Sequence, residues 1–463
     1  DPGGELVMQA EHIPVHLGSM PAAVAAVVGR DVREGDMWIL NDPFAGGTHL
    51  PDITLVAPLF QDDRLMAWTA SRAHHADVGG PSPGGMPAAS RTLDEEGVVI
   101  EPRRVDDEGL AELAGQMRNP AQRLADLRAQ RAANAVGSRR FAELVERRGA
   151  ELVADAMQAT LDHAERRTRA AISELADGVH LAADELESAD GSPVPLRVTV
   201  TIEGDALKVD FAGSADQADG NLNCPLPVTR AATLFAVRVL TDPDGPPSAG
   251  AHRPVEISAP EGSVLNARPG AAVAAGNVET SSRVADLVLA ALGEVAAGPA
   301  QGQGTMNNLT LAGRGEGAFT YYETLGGGQG ACAGAPGPSA VHVAMSNTLN
   351  TPIEALETEL PLRVRRLELR RGSAGGGRMP GGEGIVREIE ALAPARFTLI
   401  AERRSRGPRG RDGGGDGAAG RDSLNGSTLP AKCEGTLEPG DVLRIETPGG
   451  GGHGVGADAQ PGK

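Results

Sequence analysis

Five side chains able to hold a metal or move a proton fall within fewer than thirty residues: His49, Asp52, His74, His75 and Asp77. They sit in WILNDPFAGGTHLPDITLVAPLF and, after a short link, TASRAHHADVGGPSPGGM. His49 and Asp52 are three apart with Pro51 between them, which disfavours a helix. On a flat strand, positions three apart point to opposite faces. The two side chains therefore converge only if Leu50-Pro51 bends, and Gly46 and Gly47 supply backbone freedom for that. An imidazole and a carboxylate on one bend make half of a divalent metal site. The plainer alternative is an aspartate bonding its own loop backbone while His49 packs.

In RAHHADVGG an extended backbone puts His75 and Asp77 on one face and His74 on the other. All three cannot meet the first cluster without a kink. A set of two histidines and one aspartate with open positions suits Zn, Mn or Fe and leaves room for water. Such an ion acidifies that water towards neutral pH, where it becomes a nucleophile. Asp77 or Asp42 is then a candidate to orient a ligand histidine. The competing reading is an ion pair of the histidines with Asp77 beside a core.

These residues need strands to carry them. Met37–Leu40, Ile53–Phe60 and Leu65–Ser71 read as strands, and the polar clusters lie at their ends on Gly/Pro loops. ELVMQA reads as a further strand, and Pro21–Val28 as a short helix. Pro14 keeps AEHIPVHLGSM, with His12 and His16, out of a helix interior. From Asp106 to about Asp177 the period becomes helical. Leu110, Leu113 and Met117 open it, Asn119-Pro120 breaks it, and Ala121–Arg148 and Glu151–Leu175 continue it. This predicts a helical arm, a scaffold first and a partner-docking surface second. LRVTVTIEGDALKVDFAG then alternates as a hairpin turning at Gly204-Asp205.

Further on, a helix is expected over Val228–Leu240, a strand at RPVEISAP, and a helix capped by Thr280 or Ser281 running to about Val295. Strands are expected at Asn308–Ala312, Ala318–Glu323, Val341–Met345, Val364–Leu369, Val386–Leu392, Phe397–Arg403 and Val442–Glu446. GPRGRDGGGDGAAGRD reads as a mobile loop, and His453 as a surface residue. Gly326–Gly328 and Gly449–Gly452 read as tight turns, with an anion-binding loop as the alternative. The fold class is α+β: several mixed or antiparallel sheets, a helical arm and Gly-rich loops. Residues 1–105 bear the site, 106–177 form the arm and 178–463 the β-rich remainder.

Bulk properties narrow the function. The chain has 463 residues, is 40% apolar and carries 63 Gly but only 2% aromatic residues, so Ala, Val, Leu and Ile must build its core. A net charge of −19 argues against nucleic acid, which needs a basic face. Cys224, Cys332 and Cys433 are too few and too scattered for a disulfide framework or a Cys-x-x-Cys knuckle, which favours a reducing cytoplasm. No 18-residue apolar run exists, so no membrane span is expected. There is no phosphate-binding G-x-x-x-x-G-K-[ST] and no G-x-S-x-G nucleophile elbow. Cys224 and Cys332 have no neighbouring base and read as buried thiols.

In order, the chain carries NDPFAGGTHLPD, RAHHADVGG, GNVETSSRVADLVLAAL, GTMNNLTL, YYETLGGGQGA, NTPIEALE and TPGGGGHG. Over nearly its whole length it resembles the hydantoinase B/oxoprolinase family. That family holds the B-type components of N-methylhydantoinases, the C-terminal half of ATP-dependent 5-oxoprolinase and the α subunit of acetone carboxylase. The resemblance implies a catalytic B-type component of an ATP-dependent cyclic-amide hydrolase acting on a hydantoin, 5-oxoproline or another lactam. A hydantoinase A-like partner binds ATP and activates the substrate, and a metal-activated water opens the ring. The alternatives are an acetone-carboxylase-like α subunit and a non-catalytic assembly subunit. The resemblance places a divalent ion (Mn, Zn or Fe) on His49, Asp52 and His74, with His75, Asp77 and Asp42 supporting it. Relative to the family a segment ahead of DPGG is expected and is not in the sequence. GPPSAGAHRPV and His453 also depart from the family pattern, away from the proposed metal set.

Overall fold

The computed structural model describes residues 1–10, 13–313 and 318–456; His12 lies outside them. After a 3₁₀ turn at Pro14–His16 and helix α1 (Met20–Ala25), the first sheet forms from β1 (Trp38–Leu40), β2 (Asp52–Gln61), β3 (Arg64–His74) and β4 (Arg103–Arg104). Its order is β3-β2-β1-β4 with every neighbour antiparallel. ELVMQA is not a strand; its described residues have no ladder partner.

Strand alternation divides the work of this sheet. Ile53 and Leu55 face a core that includes Leu110, Leu113 and Leu127. Val56 and Trp68 face the other way, towards Ala23 and Val24 of α1. The helices α2 (Asp107–Gly115), α3 (Pro120–Arg148) and α4 (Ala150–Ser173) follow. Asp106 caps α2 by accepting from the Gly109 amide. Pro120 starts α3 at a position where a missing N–H costs nothing. Gln130 and Asn134 of α3 are buried and donate to the backbone carbonyls of Ile53, Ser71 and Leu55, fixing the helix on the sheet.

The second sheet orders β5 (Gly178–Glu187), β6 (Pro193–Glu203), β7 (Ala206–Asp210) and β8 (Val255–Ser258), with β7 and β8 parallel. Leu196, Val198, Val200 and Ile202 alternate inward from β6. They share the largest core with α5 (Leu226–Thr241) and α6 (Ser281–Leu292). α6 is not capped by a hydroxyl. Thr280 is already in helical conformation, and its Oγ1 donates to the Leu222 carbonyl instead.

Two further sheets pack face to face. One contains β9 (Asn308–Gly313), β10 (Thr320–Glu323), β13 (Ala395–Ile400) and β16 (Lys432–Leu437). The other contains β11 (Leu362–Arg370), β12 (Gly384–Ala391), β14 (Arg421–Leu424), β15 (Ser427–Thr428) and β17 (Val442–Glu446). A short helix, α7 (Ile353–Glu359), leads into β11. Leu309, Phe397 and Leu399 meet Ile385, Leu443 and Ile445 between the sheets.

Val341–Met345 is not a strand: only Val341 pairs, in a lone bridge with Gly327. The glycine-rich stretch after Arg406 is not a free loop either. Backbone bonds tie it to the last glycine run, with Arg411 N donating to Gly452 O at 2.9 Å and Gly452 N to Gly415 O at 2.9 Å. At Gly449 a Cβ would stand 1.9 Å from the Ser373 carbonyl oxygen. The runs are glycine because chains cross there at backbone distance. His453 is buried in this crossing, its Nε2 3.0 Å from Asp412 Oδ2.

Candidate metal centre

His49 and Asp52 meet because the chain bends between them. Asp52 N donates to His49 O, and Ile53 N to Pro51 O, both at 3.1 Å. Gly46 makes the approach possible at φ 103°, where a Cβ would strike the Ala22 carbonyl oxygen at 2.6 Å. Asp52 then begins β2 and stands directly opposite His74, the last residue of β3. His49 Nε2 is 3.3 Å and His74 Nδ1 3.1 Å from the same oxygen, Asp52 Oδ1. One ligand atom from each residue lies within 4.8 Å of the other two.

Each member is held from behind. Asp52 Oδ2 accepts from Thr48 Oγ1 at 2.8 Å and from Asn277 Nδ2 at 3.3 Å. Asn277 comes from a π-helical turn, Gly276–Thr280, that runs into α6; such turns recur at functional sites. His49 Nδ1 is 3.4 Å from the Ala274 carbonyl. The backbone amides of Val273 and Ala274 in turn donate to the buried carboxyl of Glu96 at 3.0–3.1 Å. The Tyr322 ring stacks on His74, centroids 4.7 Å apart and planes at 27°. Tyr322 Oη donates to Asn308 Oδ1, and Asn308 Nδ2 to Glu279 Oε1, each at 2.8 Å.

These residues fit a divalent cation. His74 keeps a buried Nε2 without a hydrogen-bond partner, and His49 Nε2 faces only the Asp52 carboxylate, without hydrogen-bond geometry. Two imidazoles and a carboxylate are a donor set suited to Zn, Mn or Fe. An Nδ1–H of His49 facing the Ala274 carbonyl is the tautomer that would offer Nε2 as a ligand.

The electrostatics agree with a pre-charged site. Burial alone would raise the Asp52 pKa, but His49 and the hydrogen bond from His74 hold it well below the usual carboxylate range. Burial lowers His74, and lowers His16 to about 4, so both rings favour the neutral form. Burial also pushes Glu96 and Glu279 up to about 7.

The other candidates stand elsewhere. His75 turns to the α3 side, with Nε2 3.3 Å from Gln130 Oε1. Asp77 accepts from the amides of Gly79 and Gly84 at 2.8 Å and pairs with Arg118 at 3.2 Å. Asp42 accepts from the Phe44 amide within its own loop. The alternation that separates His74 from His75 and Asp77 is the one expected of an extended chain. Sequence reasoning missed Asn277, Tyr322 and Glu96. The first two lie in GNVETSS and YYETLGG, stretches that stand out as motifs, whereas Glu96 carries no signal of its own.

A cavity of about 1120 Å³ reaches the centre. His74 lies on its wall beside His16, Met20, Ala70 and Arg72.

A family profile for hydantoinase B/oxoprolinase matches residues 1–456. The chain belongs to the hydantoinase B/oxoprolinase family. It is 38% identical to 5-oxoprolinase 1 of Arabidopsis thaliana over 98% of its own length, but spans only 38% of that protein. It is 36% identical to the 5-oxoprolinase of Dictyostelium discoideum, again over 98% of its own length and 37% of that protein. An ATP-dependent caprolactamase from Pseudomonas jessenii has a similar structure: TM-score 0.91 at 26% identity, over 97% of this chain and 83% of that one. Among the described residues no helix is long and apolar enough to cross a membrane.

Proposed function

We propose that this chain is the ring-opening component of an ATP-dependent cyclic-amide hydrolase, working with a separate ATP-using subunit. The observation that carries the reading is the His49–Asp52–His74 set, which meets a substrate-sized cavity through His74 on the cavity wall. The names of the 5-oxoprolinase and caprolactamase relatives support the substrate class.

An amide carbon is a poor electrophile. A partner that phosphorylates the carbonyl oxygen makes that carbon electrophilic. Water adds to it, the ring C–N bond breaks as the nitrogen takes a proton, and a second water hydrolyses the acyl phosphate left behind, releasing phosphate and the free carboxylate. His49, Asp52 and His74 would hold the ion. A divalent ion held there lowers the pKa of water enough for attack near neutral pH. Around it this chain supplies position. Asn277 and Thr48 orient Asp52, and Tyr322 packs on the face of His74.

The test is elemental analysis followed by coupled turnover. Purified chain should carry Zn, Mn or Fe near one equivalent. His49→Ala and Asp52→Ala should lose the metal and lactam hydrolysis, while ATP cleavage by the partner persists. A chain that takes up no metal, or variants with undiminished hydrolysis, would overturn the proposal. Bicarbonate-dependent consumption of a ketone would instead assign it to carboxylation.

A further inference from the structure

Beside the triad the cavity wall carries a guanidinium that the metal centre does not employ. Arg72 lies two residues before His74 in β3 and opposite Thr54 in β2. It is therefore on the same sheet face as His74 and Asp52, about 7 Å along the strand from His74 by the rise per residue. Arg72 Nε donates to Thr54 Oγ1 at 2.7 Å, Nη1 to Ser19 Oγ at 2.6 Å and Nη2 to Gly46 O at 3.2 Å. All three acceptors are uncharged, so these bonds aim the group; the carboxylate whose charge acts on it is Asp52 of the triad. A guanidinium has five N–H donors; these bonds use three, which leaves one on each terminal nitrogen. His16 lines the same cavity from the 3₁₀ turn, and its Nδ1 is buried without a partner.

We propose that Arg72 and His16 form an anion subsite that receives the phosphoryl group of the activated substrate and holds the carbon to be attacked over His49, Asp52 and His74. This rests on the ring-opening reading above. A neutral lactam needs no cation beside the metal, but its phosphorylated form brings a dianion that must be buried with it. Burying that charge unpaired is prohibitive, and a pre-aimed arginine is the side chain suited to phosphoryl oxygens. Of the three bonds that aim Arg72, one goes to Ser19, just ahead of α1, and one to the glycine bend at Gly46. The subsite and the His49 bend are thus built from the same contacts.

Calorimetric titration of inorganic phosphate into the Mn(II)-treated chain tests this, with acetate and 5-oxoproline as carboxylate controls. Phosphate should bind, and Arg72→Ala, compared with wild type at equal Mn(II) occupancy, should weaken it about tenfold or more, the loss of a charge-assisted pair. Arg72→Lys should fall between, and His16→Gln should weaken binding by a smaller factor. These two variants decide the matter should Arg72→Ala fail to fold. Equal phosphate affinity in wild type and variants overturns the subsite, as does acetate or 5-oxoproline binding as tightly as phosphate and with the same dependence on Arg72. Failure of the ring-opening reading is seen separately, as absence of Mn(II) uptake; phosphate titration of that same chain still decides the role of Arg72.

Discussion

Asp52 and His74 face each other as direct partners across the antiparallel β2–β3 ladder, with Asp52 Oδ1 3.1 Å from His74 Nδ1. A cross-strand pair is rigid, because both backbones are locked by the ladder. Asp52→Asn keeps the shape and removes the charge. It should weaken metal binding about 100-fold or more, beyond the 10–100-fold typical of supporting residues. Competition with a chromophoric chelator measures this, and wild-type affinity in the variant would exclude the triad as the metal site.

Tyr322 touches His74 only through its ring face. Tyr322→Phe keeps the stack and loses the bond to Asn308, whereas Tyr322→Ala loses both. Metal affinity should hold in the first and drop roughly tenfold in the second. The visible spectrum of the Co(II)-loaded chain should change only for Tyr322→Ala. Equal effects of the two substitutions would show that the hydrogen bond, not the stack, positions His74.

Asp77 is a structural anchor by its contacts. Its carboxylate is buried, and two amides and Arg118 depend on it. Asp77→Ala should cost about 3 kcal/mol of stability, the range for stranding buried donors, while the folded variant keeps its metal stoichiometry. Urea melts and elemental analysis read the two separately.

Glu96 gives a pH signature. Burial raises its pKa to about 7 from 4.5, against three hydrogen bonds that lower it. The folded chain thus holds the proton more tightly than the unfolded one. The stability this contributes is complete below about pH 4.5 and is lost as pH rises through about 7. Glu96→Gln stays neutral throughout. With metal stripped, wild type should lose stability relative to Glu96→Gln by on the order of 3 kcal/mol across that window. A difference that does not change with pH would show that Glu96 titrates normally.

Gly449 stands where the last glycine run crosses Ser373. Gly449→Ala should destabilise the chain by about 3 kcal/mol or more, since backbone rather than a flexible side chain must yield. Thermal melts check this.

Much of the scaffold was legible from local pattern. Apolar runs bounded by Gly/Pro loops marked β2 and β3, alternation marked β6 and β7, and the 3.6 period with its Pro120 break marked α2 to α4, because these signals lie along the chain itself. The chemistry of His49, Asp52 and His74 was legible as residue type and spacing, and so was the need for a bend at Leu50-Pro51. The separation of His74 from His75 and Asp77 followed from strand alternation alone.

Tertiary structure decided what lies behind those residues. Asn277 reaches Asp52 from 225 positions away, and Tyr322 and Glu96 approach from different sheets and loops. No period or spacing encodes such contacts, since they depend on how separate elements dock. The same reason explains His453 and the glycine runs. In sequence they look like exposed turns. In the fold they are backbone crossings, where the absence of a side chain is the packing requirement. The sequence by itself determined which groups could bind a metal and which face of a strand each one takes; docking of β9–β10, α6 and the Gly276–Thr280 turn onto β2 and β3 decided which of them are buried, oriented and left without a partner.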